Sequence, residues 1–261
     1  MPAELLIRRE GAIGWIVFSN LERHNAVTYE MWCDVPQRIA EFDADPAIRA
    51  IVLSGDGERA FVSGADISEF ERKRNSADAA AVYNEAVDAA YAAVAAATKP
   101  TLARVRGICM GGGLWLTLCC DLRLCNDTAR FAMPAAKMGL GIRYENVRRM
   151  MEPVPPIHTA DVLFTGRQFD GQEALRLGIV NRSVPDADLD TVTNEYLAGL
   201  ASTAPLTVKG AKAAMRTYWQ GEHAAAIAQV RTMTDACYGS EDYKEGRKAF
   251  AEKRKPQFRG I

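Results

Sequence analysis

Three consecutive glycines, Gly111-Gly112-Gly113, stand between the apolar run Ile108-Cys109-Met110 and a second apolar run that begins Leu114-Trp115. A short strand giving way to a helix at such a point leaves backbone N–H groups with no partner of their own. Glycine lets a ligand oxygen come close to the main chain there, and the helix dipole adds partial positive charge. A second small-residue turn, Ser63-Gly64-Ala65, follows Ala60-Phe61-Val62, where another apolar segment stops. One N–H from each turn would form an oxyanion hole, the arrangement that stabilises negative charge developing on a carbonyl oxygen. Taken singly, each turn reads as an ordinary connection. The pair is what points to chemistry.

Flanked by Ser19-Asn20-Leu21-Glu22-Arg23-His24-Asn25-Ala26 and by Cys119-Cys120-Asp121, these turns resemble the crotonase, or enoyl-CoA hydratase/isomerase, superfamily. The resemblance runs nearly end to end, as far as Ala249-Phe250-Ala251-Glu252-Lys253-Arg254. It implies an acyl-CoA thioester whose enolate oxygen is held by the N–H groups of Ala65 and Gly112, with no cofactor beyond the coenzyme A of the substrate. It matches Glu22, Arg23 and His24 to the loop near the nucleotide end, and residues 65–68, including Asp66, Ile67 and Ser68, to the adenine and pantetheine contact. Phe250 and Lys253 correspond to positions on a C-terminal helix that reach a neighbouring subunit's nucleotide. Asp66 reads equally as a residue holding its own turn, and His24 as a packing or hydrogen-bonding histidine. His158 and His223 lie in no motif and receive no role.

The chain departs from the hydratase pattern at two decisive places. One catalytic glutamate of the resembled hydratases lies three residues after the oxyanion glycine, where this chain has Trp115. The second follows the proline of a segment matching Phe131-Ala132-Met133-Pro134, where it has Ala135. Hydration of an enoyl thioester needs a base for water and an acid for Cα, and positioned groups of this kind contribute about 10²–10⁴-fold. An indole and a methyl group supply neither. Trp115 is read as filling the vacated space, stacking on an aromatic acyl group, or packing in a buried helix.

Replacement chemistry is expected in residues 139–149, which hold Arg143, Tyr144, Glu145, Arg148 and Arg149 and, by the resemblance, line the acyl pocket. Glu145 is the first candidate for acid–base work, Tyr144 a proton donor, and Arg143 a contact for a carboxylate or phosphate. Against this, an acidic residue in a first helical turn commonly complements the dipole. The leading reading is an enzyme that stabilises a thioester enolate: an isomerase, a decarboxylase or retro-Claisen lyase, a thioesterase, or a weak hydratase. The alternative is a catalytically silent acyl-CoA-binding or assembly homologue.

The elements that must position these residues follow from the pattern. The chain has 261 residues, 48% of them hydrophobic, enough for a sizeable core. A formal net charge of -1 argues against a nucleic-acid or membrane-surface partner. The absence of a bilayer-length apolar run, and of a basic-then-apolar start after Met1, makes a cytoplasmic location the default expectation. Six cysteines and three histidines lack metal-ligand spacing, so no metal site is expected and the thiols are read as reduced and mostly buried.

Residues 5–7 and 13–18 read as strands around a Glu-Gly turn. Thr28 is placed to cap a helix carrying Met31, Val35, Ile39 and Phe42, and residues 51–53 form a buried strand. Residues 77–97 form an alanine-rich helix with Val82, Val87, Tyr91 and Val94 near helical spacing. Strands at 101–105 and 122–125 bracket the glycine-led helix. This order suits a layered α/β core. The resemblance specifies it as a crotonase-like right-handed superhelix of ββα units over residues 1–187. Residues 188–261 read as helices only, with apolar faces that must pack on each other, on the core, or on another subunit. By resemblance this region builds a homotrimer, often paired into a hexamer.

Overall fold

The computed structural model describes residues 3–69, 73 and 75–261. Strands β1 (Glu4–Glu10) and β2 (Ile13–Ser19) form an antiparallel hairpin, and parallel pairing then extends one sheet in the order β1-β2-β3-β5-β7-β10. Here β3 is Ala50–Gly55, β5 Thr101–Val105, β7 Leu122–Asn126 and β10 Arg182–Val184. A second sheet runs β4-β6-β8-β9, from Ala60–Val62, Ile108–Met110, Arg130–Ala132 and Gln168–Asp170. Strands 3 and 4, 5 and 6, and 7 and 8 thus divide between the sheets, the first of each pair entering the larger one.

Helix α1 (Tyr29–Ala44) starts where Thr28 Oγ1 accepts the Met31 N–H, and it buries Met31, Val35, Ile39 and Phe42 as the spacing requires. It packs against α2 (Ala77–Ala96), whose buried residues are Tyr83, Ala90, Tyr91 and Val94. Val82 lies off that face and is 54% exposed, because Tyr83, one position on, takes the inward direction. Helix α3 (Gly112–Cys119) is buried almost along its length, as expected of a helix apolar on all sides. A Cβ on Gly113 would lie 2.2 Å from the Val62 carbonyl oxygen, so only glycine lets α3 come this close to β4.

The chain continues through a 3-10 turn (Pro134–Met138), α4 (Tyr144–Met151), α5 (Pro156–Thr165) and α6 (Gly171–Arg176). Four helices end it: α7 (Leu189–Ala201), α8 (Pro205–Gln220), α9 (Ala224–Gly239) and α10 (Glu241–Ala251). Among the described residues no strand follows residue 187, as the apolar pattern predicts. Although α7 lies beyond residue 187, its Leu189 and Leu197 pack with Ile13, Val52, Leu102 and Leu124 on the larger sheet. Helix α8 is tied to the core by Lys212, whose Nζ donates to Asp121 (2.5 Å) and to the Lys99 carbonyl (2.8 Å). No helix among the described residues is long and apolar enough to cross a membrane, and no group of histidine, cysteine or carboxylate side chains among them could hold a metal ion.

Candidate active site

The two small-residue turns meet. Gly64 (φ +123°) and Gly111 (φ +51°) take backbone conformations closed to ordinary side chains, and a methyl built on Gly64 would stand 3.9 Å from the Gly112 nitrogen. Ala65 forms a parallel bridge with Val27, in which Val27 N–H donates to the Gly64 carbonyl and Asp66 N–H to the Val27 carbonyl. That register turns the Ala65 N–H away from the bridge. Gly112 is the first residue of α3, so its N–H lacks a helical acceptor. Among the described residues neither N–H has a hydrogen-bond acceptor in the chain. Both residues line one cavity of about 750 Å³.

The loop of residues 19–26 buttresses the first turn. Ser63 N–H donates to the His24 carbonyl, and Ser63 Oγ to the Arg23 carbonyl. Asn25, buried and left-handed (φ +57°), receives the Asn20 N–H and donates to the Asp56 and Ala60 carbonyls. This lock was not singled out from the sequence, although an asparagine among small and turn-forming residues is a known signal for left-handed backbone. The buried Asp66 carboxylate receives Ser68 N–H (3.0 Å), Ser68 Oγ (2.6 Å) and Arg23 (3.4 Å), which holds its turn. Glu22, Arg23 and His24 are exposed beside it.

Of the residues expected at the site, the fold brings Ala65, Ile67, Gly112, Trp115, Ala135 and Arg143 to this cavity. Trp115 is both a wall and a member of the hydrophobic core, so its readings as core aromatic and as pocket filler coincide. Ala135 lies in the 3-10 turn, flanked on the wall by Pro134 and Met133. Tyr144 and Glu145 occupy the first turn of α4 but are exposed, Tyr144 by 73%, and neither lines the cavity. Phe250, 88% exposed, and Lys253 lie in and just beyond α10, away from this cavity of the single chain.

The cavity's only carboxylate among the described residues comes from elsewhere. Asp88, on α2, pairs with Arg143 Nε at 2.8 Å. Burial pushes the Asp88 carboxyl above its ordinary value; the Arg143 guanidinium opposes this and the Glu145 charge adds to it. One turn further on, Tyr91 stacks edge-on against Trp32 and donates its hydroxyl to the Gly112 carbonyl at 3.4 Å. Burial holds Tyr91 well above the ordinary phenol value, so it stays an O–H donor. Asp88 is hard to find in the sequence because an acid within an alanine-rich helix has the pattern of a solvated charge.

Residues 8–260 match the family model for enoyl-CoA hydratase/isomerase. The chain belongs to that family. It is 31% identical over 254 residues to a probable enoyl-CoA hydratase of Mycobacterium tuberculosis, covering 97% of each chain. It is 32% identical over 272 residues to the carnitinyl-CoA dehydratase of Escherichia coli, covering both completely. The fold matches the crystal structure of a putative enoyl-CoA hydratase/isomerase family protein from Hyphomonas neptunium, with TM-score 0.93, 31% identity and 97% of each chain covered. It also matches an enoyl-CoA hydratase/carnithine racemase from Magnetospirillum magneticum, with TM-score 0.92, 32% identity, and 100% of this chain and 97% of that one covered. As an enoyl-CoA hydratase/isomerase family member, the protein is an acyl-CoA enzyme by kinship, with a mixed α/β fold. Its cavity is lined by Ala65 and Gly112 of the two turns, one carboxylate and one guanidinium among largely apolar walls.

Proposed function

We propose that this cavity binds an acyl-CoA thioester, with its carbonyl oxygen between the N–H groups of Ala65 and Gly112, and stabilises the enolate that forms there. The observation that carries this reading is the pair of N–H groups without an acceptor among the described residues, on two adjoining turns whose residues line one cavity. Donors fixed before reaction are worth most where charge develops, because no reorganisation is needed. Glu22, Arg23, His24, Asp66, Ile67 and Ser68 flank the route for the coenzyme A moiety. The chain winds as a right-handed superhelix of ββα units over residues 1–187, and residues 188–261 assemble a homotrimer or dimer of trimers in the cytoplasm. In that assembly Phe250 and Lys253 meet a neighbour's nucleotide, and no cofactor is needed beyond the coenzyme A of the substrate.

The reaction is not efficient two-glutamate hydration. Trp115 and Ala135 supply no base for water and no acid for Cα, so crotonyl-CoA absorbance is expected to fall slowly, at least about 100-fold below an efficient enzyme of this class. Unsaturated, β-keto and malonyl-type thioesters are the substrates to screen, since an oxyanion hole supports isomerisation, decarboxylation and retro-Claisen cleavage alike. Glu145 and Tyr144 reach the reaction only if α4 turns its first turn inward. The same two substitutions favour one other reading, a silent acyl-CoA binder, which would show thioester binding without turnover of any of these classes. Rapid crotonyl-CoA hydration would refute the proposed reaction class.

A further inference from the structure

Asp88 and Arg143 are the only oppositely charged pair on the cavity wall among the described residues. Asp88 shares its helix face with Tyr91, three residues later, and residues so spaced lie about 5–6 Å apart. Tyr91 donates to the carbonyl of Gly112, so Asp88 lies one turn along α2 from the residue that contacts the proposed oxyanion glycine, and both line the same cavity. Both members of the pair keep partial exposure, Asp88 36% and Arg143 50% at the side chain, and are open to a ligand rather than sealed in the core.

We propose that Asp88 takes and returns a proton at the α-carbon of the bound acyl chain, with Arg143 as its positioning residue. The inference rests on the acyl-thioester reading of the same cavity. An Asp88 oxygen bonds the α-proton, and the C–H electron pair becomes the C=C bond of the enolate. The carbonyl π pair moves to the oxygen held by Ala65 and Gly112. The protonated Asp88 then delivers its proton back to Cα or, in an unsaturated chain, to Cγ, which shifts the double bond. No oxidant or co-reactant enters.

The charges that set this carboxyl are Arg143 at the start of α4 and Glu145 in its first turn; Tyr91 on the same helix as Asp88 stays a neutral phenol, raised by burial and by Asp88 and opposed by Arg149. Burial and Glu145 favour the protonated acid and Arg143 the carboxylate, which moves the group toward the range useful to a base that must also give its proton back.

The experiment follows α-proton exchange directly. Butyryl-CoA is incubated with the protein in D2O, deuterium uptake is read by mass spectrometry, and binding is measured by calorimetry. The parent is expected to bind and exchange. Asp88→Asn should bind within about twofold yet exchange at least about 100-fold more slowly. Exchange should fall with decreasing pH as Asp88 protonates. Arg143→Ala should move that midpoint upward, because the stabilising cation is gone, and Glu145→Gln should move it downward.

Parent-like exchange by Asp88→Asn overturns the proposal, as does a parent that binds without exchanging. A loss larger in Glu145→Gln than in Asp88→Asn overturns it in favour of Glu145. If Asp88→Asn loses binding, the Arg143→Ala profile decides, and an unmoved midpoint overturns the assignment. A parent that binds no acyl-CoA sinks the thioester reading itself, and this inference with it.

Discussion

The larger sheet and the C-terminal helices finish their packing differently. Strands β2 and β3 bury almost every residue, with Ile16, Phe18, Ile51 and Leu53 fully enclosed. Helix α9 buries none, and α8 and α9 leave Met215, Tyr218, Trp219 and Tyr238 exposed. Both regions are rich in apolar residues. The difference is that parallel strands between helix layers are covered by the chain itself, whereas paired helices at the end of the chain cover one side only. Each proposed oxyanion donor lies in the self-completed part, built from backbone.

Breaking a backbone donor should therefore have the largest effect. Gly112→Pro removes one N–H at the first helical position, where proline is tolerated, and should lower turnover of the best thioester by about 10²–10³-fold. Gly112→Ala brings similar crowding against Trp32 and the Tyr91 hydroxyl (3.2–3.3 Å) but keeps the donor, so steady-state kinetics of the two variants separate donor from crowding. Equal rates would show that the core site is not built from this N–H.

The link between the two regions comes next. Lys212→Met would deprive Asp121, which also receives Thr101 N–H and Oγ1, of its cation and free α8 from the Lys99 carbonyl. A denaturant titration should show about 1–3 kcal/mol lost. Gly113→Ala should cost a similar amount within the core, since its methyl meets the Val62 carbonyl. A much smaller loss in Lys212→Met would mean that the C-terminal helices hold to the core by other contacts.

Association sharpens the same contrast. Light scattering at micromolar concentration should give three or six times the chain mass, and Tyr238→Lys should reduce it if the exposed faces form the interface. A monomer would also detach Phe250 and Lys253 from any neighbouring site.

The smallest expected signal is chemical. Burial pushes the thiols of Cys119 and Cys125 up to about 12, leaving about one part in ten thousand as thiolate at pH 8. Iodoacetamide should label exposed Cys33 first and leave the four buried cysteines until the protein unfolds. Early labelling of Cys119 would show that α3 opens in the native state.

The sequence by itself determined the two glycine-bearing turns, the strands at 13–18, 51–53, 101–105 and 122–125 around them, the helical character of the C-terminal region, and the presence of Trp115 and Ala135 at the two decisive positions. These are local facts: turn chemistry, hydrophobic period and residue identity at a fixed spacing from a motif. Tertiary structure alone decided which charges face the cavity. Glu145 is exposed and off the cavity wall, while Asp88, 55 residues before Arg143 in the chain, pairs with it on that wall. The physical reason is that a helix's period fixes which residues share a face, but only the packing of α2 and α4 around the oxyanion turns fixes which face looks inward.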